Sequence, residues 1–207
     1  MNRHEQRSEE TRGRILKAAE TLFARSGYDG TGVSEICAAA GVSKGAFYHH
    51  FATKQDVFLA LLNGWLAALE REMIALRDQA ASVPDALQAM TTVVSGVLRD
   101  AGDQLPIYLE YLLQARRDPT VWQATIEPYR RFRAFFAEMI RRGVAEGSLR
   151  PVDPEPAARA IVSLGIGLLL QALLEADERD HTASFDEGLR LALDSLRARQ
   201  TQEGVTR

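Results

Sequence analysis

The chain has 207 residues, 46% of them hydrophobic and 26% charged, enough for one or two units with a substantial core. Twenty-five Lys and Arg face 28 acidic residues for a net charge of −3, which excludes a chain-wide basic surface, so any nucleic-acid face has to be local. One cysteine, Cys37, excludes an internal disulfide and a Cys-rich zinc site, and makes the reducing cytoplasm the expected setting.

The first ten residues are polar and mixed in charge, without the apolar stretch of a secretory signal, so export is not expected. From there apolar residues recur at helical spacing almost throughout. Ile15, Ala18, Ala19, Leu22 and Phe23 make the first stripe. A long one runs from Phe58 through Leu61, Leu62, Trp65, Leu69 and Met73. Two more join Tyr108, Tyr111, Leu112 and Ala115, then Trp122, Tyr129, Phe132, Phe136, Met139 and Ile140. The longest apolar stretch, 160–174, is broken by Ser163, Gly165, Gly167 and Gln171 and falls short of the ~18–20 residues of a spanning helix. It reads as a buried helix, and no membrane association is expected.

Punctuation divides the stripes. Thr53 to Asp56 and Ser184 to Glu187 fit capping boxes. Asp118-Pro119 and Asp153-Pro154 place an N-cap before a first-turn proline, while Gly27, Gly41 and Gly147 stand where helices stop. These marks predict an all-α fold of about nine helices, over 8–26, 33–40, 44–51, 54–80, 84–101, 104–117, 119–146, 154–178 and 184–200. Three short helices in the first fifty residues form an N-terminal helix-turn-helix (HTH) module, 1–53. A helical bundle follows over 54–200, with a frayed tail at 201–207.

Residues 33–51 carry the functional signal. Two short helices meet across a turn containing Gly41, the helix-turn-helix arrangement. On the second, Phe47 and Phe51 are four apart and can anchor it on Ile36 and Leu22, which turns Lys44, Gly45, Tyr48 and His49 to the opposite side. Lys44 adds a charge in the first helical turn, Gly45 and Ala46 permit close approach to bases, and Tyr48 and His49 reach phosphates or base edges. Lys54 opens the next helix, where it can clamp flanking backbone. Residues 1–54 hold eight basic and six acidic residues, the remainder 17 and 22, so charge is distributed in the same sense.

Catalysis is not expected. His49 and His50 are adjacent and so point apart on a helix, His4 and His181 are expected in loose segments, and no HExxH or nucleophile elbow occurs. The stretch from Gly27 to Gly32 is neither a Walker A loop nor GxGxxG, and no cofactor or metal is expected. The remaining alternative is a purely interacting helical protein, an adaptor, which salt-dependent binding to a palindromic duplex would separate from a DNA reader.

Thr11, Ile15, Ala18-Ala19, Leu22-Phe23, Gly27-Tyr28, Thr31, Val33, Ile36, Ala40-Gly41-Val42-Ser43-Lys44-Gly45, Phe47-Tyr48, His50-Phe51, Lys54 and Val57 together resemble the N-terminal domain of the TetR family of transcriptional regulators. The resemblance implies a cytoplasmic homodimer, usually a repressor, that grips a palindromic operator in double-stranded DNA and is released by a small-molecule effector. Carried over by position, Thr31, Ser34, Ser43, Tyr48, His49 and Lys54 correspond to backbone contacts, and Lys44, Gly45 and Ala46 to base-facing positions. Cys37 stands where the family usually has alanine. Further on, Tyr108 to Pro119, Tyr129, Phe132, Gly143, Gly147 and the helix around 165–170 resemble the betaine-repressor-like C-terminal type.

The bundle is therefore expected to hold an effector among Trp65, Leu69, Met73, Tyr108, Tyr111, Leu112, Trp122, Tyr129, Phe132, Phe136 and Leu169, with Glu110, Gln114, Arg133 and Gln171 as polar anchors. The same spacing also suits a plain core. The run Tyr129 to Arg133 could attract an anion or form a solvated face. Ile161, Leu164 and Leu168 with Leu189, Ala192, Leu193 and Leu196 are the expected seam of a four-helix dimer interface implied by the resemblance. The helix that begins after Thr53 is the expected link between effector and DNA.

Overall fold

The computed structural model describes residues 3–100, 105–174 and 181–198. Among these are nine helices: α1 Arg3–Ser26, α2 Val33–Ala40, α3 Lys44–His50, α4 Lys54–Gln79, α5 Val83–Asp100, α6 Leu105–Ala115, α7 Pro119–Ala145, α8 Pro154–Leu174 and α9 His181–Asp194. The described residues contain no strand, only an isolated antiparallel bridge between Leu149 and Arg197. No helix among them is long and apolar enough to cross a membrane.

The caps explain most of the boundaries. Thr53 and Asp56 satisfy each other's backbone, with Thr53 N–H to Asp56 Oδ2 at 2.8 Å and Asp56 N–H to Thr53 Oγ1 at 3.1 Å. Asp118 Oδ1 accepts from the amides of Thr120 and Val121, and Asp153 Oδ1 accepts from that of Glu155. Gly27, Gly41 and Gly147 all have positive φ, the left-handed conformation that ends a helix at little steric cost in glycine.

Some expectations fail. Helix α1 starts five residues earlier than expected, because the polar stretch from Arg3 to Arg7 contains no helix breaker. His4 and His181 lie in helices rather than loose segments. Ser184 lies inside α9 and so is not an N-cap, while α9 ends at Asp194, six residues early. The chain there turns to pair with the α7–α8 connection: Arg150 N–H donates to Leu196 O at 2.9 Å and Ala198 N–H to Ser148 O at 3.2 Å. This tertiary pairing ends α9 before its apolar period does. The expected helical residues 101, 104 and 175–178, the end at 199–200 and the tail 201–207 lie outside the described residues.

Packing divides the chain into two units whose limits differ from the expected boundary at residue 53. The first comprises 1–68 and 101–128, the second 69–100 and 129–207. Helices α4 and α7 contribute to both, and in α7 the change falls at the buried Pro128, whose missing N–H leaves Ala124 O without its helical donor.

In the first unit α1 packs on α2 and α3. Ile15, Leu22, Phe23, Ile36, Phe47, Phe51, Phe58 and Tyr111 belong to one buried cluster. In the second unit α5 packs on α8 and α9, and Met73, Leu87, Met90, Phe136, Ile140, Leu149 and Leu193 form its core. Gly143 is required here, since a Cβ would come within 2.6 Å of Leu149 Cδ1.

Candidate nucleic-acid interface

The second HTH helix is only seven residues long, too short to persist alone, so its neighbours must fix it. Before it, α2 begins with Glu35 Oε2 accepting Gly32 N–H at 2.8 Å. It ends at Gly41 (φ 62), where Val42 N–H returns to Cys37 O at 3.0 Å. Ser43 then leaves the turn in an extended conformation and caps α3, its Oγ accepting Ala46 N–H at 3.1 Å. Phe47 is wholly buried and holds α3 from below, with Phe51 one turn on. The Arg12 guanidinium lies 5.3 Å from the Phe51 ring centroid and ties α1 to the end of α3.

That anchoring leaves Lys44, Gly45, Tyr48 and His49 exposed along one side, Tyr48 by 55%, with Ser34 and Ser43 exposed nearby and Ala46 half-buried. The arrangement brings a cation, a backbone free of bulk, a phenol and an imidazole onto one surface supported by an aromatic core. Such a surface can meet phosphates and base edges together. Arg14 extends from α1 toward the α2–α3 turn, its Nη1 3.9 Å from where a Gly41 Cβ would lie. Beside this surface, His50 is half-buried. Burial, then His49 and Arg12, push its imidazole below the usual histidine range against the opposing pull of Glu9.

Two expected contact residues are placed otherwise. Thr31 is only 2% exposed, and its hydroxyl donates to Gly27 O at 2.8 Å, stabilising the α1–α2 connection instead of facing solvent. Lys54 Nζ donates to Tyr28 O at 2.7 Å and sits 4.2 Å from the Tyr28 ring centroid. Burial lowers the pKa of its ammonium, while Asp29 and Glu110 pull the other way. It clamps this connection from within.

Glu110 completes the clamp, a role that sequence reasoning missed. Its Oε2 accepts from the amides of Tyr28 at 2.9 Å and Asp29 at 3.3 Å, and Gln114 Nε2 reaches Asp29 Oδ1 at 3.5 Å. A Cβ on Gly27 would lie 3.2 Å from that carboxylate oxygen at a φ of 73, so the position favours glycine twice over. Tyr111, one residue on, stacks on Phe58 at 4.3 Å and pairs its hydroxyl with Thr125 Oγ1 at 3.0 Å. No local pattern signals the Glu110 and Gln114 links, because those partners are more than 80 residues apart in the chain.

The expected effector residues divide between the units. Trp65, Tyr108, Tyr111, Leu112 and Trp122 belong to the first, and Leu69, Met73, Tyr129, Phe132, Arg133, Phe136 and Gln171 to the second. Tyr111, Met73 and Phe136 are buried in their cores. Trp65 is 44% exposed and Gln171 is exposed, whereas Leu69, Tyr108, Leu112, Trp122, Tyr129, Phe132 and Arg133 are half-buried. The side chain of Leu169 lies outside the described residues.

The expected dimer seam also changes. Leu168, Leu189, Leu193 and Leu196 are buried within the chain itself and have little surface left for a partner. Ile161, Leu164 and Ala192 are half-buried, while the exposed large apolar residues among the described side chains of α8 and α9 are Ile166, Leu170 and Leu191, the last at 64%. No group of three or more His, Cys, Asp or Glu among the described residues is placed to hold a metal.

Comparison with known proteins agrees with this geometry. Residues 15–61 match the model of bacterial regulatory proteins of the tetR family, and residues 85–199 that of the BetI-type transcriptional repressor C-terminal domain. The HTH-type transcriptional regulator UidR of Escherichia coli K12 is 25% identical over 197 residues, covering 95% of this chain and 97% of its own. The HTH-type transcriptional repressor KstR2 of Mycobacterium tuberculosis is 28% identical over 143 residues, 68% of this chain and 70% of its own. A crystal structure of a regulator from Saccharomonospora viridis in complex with choline superposes with a TM-score of 0.75 at 24% identity, covering 90% of this chain and 96% of that one. The chain, with an all-α fold and an aromatic-anchored HTH, belongs to the TetR family of DNA-binding transcriptional regulators.

Proposed function

We propose that the protein is a homodimeric repressor, acting in the cytoplasm, that is released from a palindromic operator by a small molecule. The observation that carries this reading is the exposed set Lys44, Gly45, Tyr48 and His49 on a helix immobilised by Phe47. Lys44, Gly45 and Ala46 face bases. Ser34, Ser43, Tyr48 and His49, joined by Arg14, hold backbone, while Thr31 and Lys54 act indirectly by fixing the α1–α2 connection.

Dimerisation is supported by the apolar residues that α8 and α9 leave exposed, Ile166, Leu170 and Leu191. A second copy related by a two-fold axis would bury them in a four-helix seam, with half-buried Ile161 and Leu164 at its margin. Effector response is supported by the relative crystallised with choline, which shows that this fold can accommodate a small molecule. Helix α4 runs from the α3 junction into the second unit, and its movement on ligand binding would alter the spacing of the two reading helices.

A DNase I footprint on the DNA flanking the protein's own gene tests this. Two protected half-sites about one helical turn apart are expected, with affinity falling steeply as salt rises through counterion release. Absence of any protected site on that DNA or on a genomic library would overturn the reading.

A further inference from the structure

The run Tyr129-Arg130-Arg131-Phe132-Arg133 places three guanidiniums in four residues, and the fold treats them differently. Arg130 and Arg131 are exposed, and Arg131 Nε pairs with Glu70 Oε2 at 3.6 Å. Arg133 is drawn inward. It precedes the buried residues Phe136, Ala137 and Ile140 by three, four and seven positions, so it lies on their stripe of α7. Tyr129, four residues before Arg133, extends the same stripe. Toward the N-terminus the stripe thus passes from fully buried apolar residues to two half-buried polar ones.

Neither polar tip is matched. No carboxylate among the described residues pairs with the Arg133 guanidinium, and the Tyr129 hydroxyl has no hydrogen-bond partner among them. Both tips keep access to solvent, since no buried side-chain nitrogen or oxygen among the described residues lacks a partner, so a ligand can reach them. Several other polar residues near cores are committed, Glu110 to the amides of Tyr28 and Asp29, Lys54 to Tyr28 O, and the Tyr111 hydroxyl to Thr125, while the half-buried Tyr108 shares with Tyr129 a hydroxyl without a partner among the described residues. A guanidinium fork and a phenol one helical turn apart match a single carboxylate or similar oxyanion, which can accept from both. Half-buried Phe132 and Leu69 pack on the same unit's core and offer apolar surface there.

We propose that the effector is an amphipathic anion whose charged head is held by Arg133 and Tyr129 on the inward stripe of α7. The proposal rests on the ligand-responsive reading above and names the class of molecule that it requires.

The test uses the full-length protein and two fluorescent probes with the same aromatic body: the anion 1-anilinonaphthalene-8-sulfonate and its uncharged analogue N-phenyl-1-naphthylamine. Wild type is expected to bind the sulfonate saturably and more tightly than the neutral probe. Arg133→Gln should weaken the sulfonate about tenfold or more, as expected for loss of a charge-assisted hydrogen bond, and leave the neutral probe within about twofold. Tyr129→Phe should cost the sulfonate less, and Arg133→Lys should recover part of the loss, which excludes general unfolding as the cause. Unchanged sulfonate binding in Arg133→Gln, or equal binding of both probes by wild type, overturns the anionic class and leaves small-molecule binding standing. Binding of neither probe overturns the anion site and removes support for an effector site in the bundle.

Discussion

The α1–α2 connection and the inward stripe of α7 treat their polar groups in opposite ways. In the first, every polar side chain that ties the α1–α2 connection is matched: Thr31 to Gly27 O, Lys54 to Tyr28 O, Glu110 to two amides. In the second, Arg133 and Tyr129 stand half-buried without partners. Complete internal satisfaction suits a reading head whose geometry must stay constant from site to site. Unpaired polar groups whose tips keep access to solvent suit a part that acquires partners.

Substitutions at five positions would break or sharpen that contrast. The largest effect is expected from Phe47→Ala, which removes a wholly buried ring and should destabilise the first unit by about 3–5 kcal/mol in chemical denaturation. DNA binding should be lost with it. In the second unit Leu191→Glu should act on assembly, not on the fold of the chain. Like charges meeting across a two-fold seam should weaken the dimer by about 2 kcal/mol or more in sedimentation, with the helical circular dichroism signal retained. Glu110→Ala leaves two amides without an acceptor and should cost about 1–3 kcal/mol, whereas Glu110→Gln, which keeps one acceptor oxygen, should recover most of it. Ser43→Ala removes the α3 cap for about 1 kcal/mol, visible as faster amide exchange at Ala46.

The smallest effect concerns acid. The Ser148 hydroxyl, opposed by partial burial and aided by the Val83 amide and Arg142, holds the Glu146 carboxyl below its ordinary value of 4.5. A carboxyl depressed in the folded state stabilises above its unfolded value, and that contribution is lost as pH falls through the folded one. Glu146→Gln should therefore flatten the acid limb of the melting curve below about pH 4.5, with little change at pH 7.

What was legible in the sequence follows the range of the interactions. Ser43, Gly41, Thr53-Asp56 and Asp118-Pro119 act within four residues, so their spacing alone locates α2, α3, α4 and α7 to within a residue or so. The alternation of Phe47 and Phe51 with Tyr48 and His49 likewise decides which side of α3 is exposed. Sequence spacing could not show that Glu110 and Lys54 close on the same connection, since those contacts span 82 and 26 positions. The same limit applies to Leu196, whose helical period continues although pairing with residues 148–150 stops α9 at Asp194. Aromatic stripes could not distinguish core from ligand surface either. Tyr111 and Tyr129 have the same spacing logic, yet one is sealed against Phe58 and the other ends in an unmatched hydroxyl.

The central claim is that α3 reads DNA through the residues turned away from Phe47. The most direct measurement is the affinity for a footprinted operator duplex of wild type and of a Lys44→Ala, Tyr48→Ala double variant, at two salt concentrations and with matched melting curves. A loss of at least about tenfold with a shallower salt dependence is expected, since one base-facing cation and one backbone-holding phenol are removed from an intact scaffold. Unchanged affinity and unchanged salt slope in a fully folded variant would contradict it.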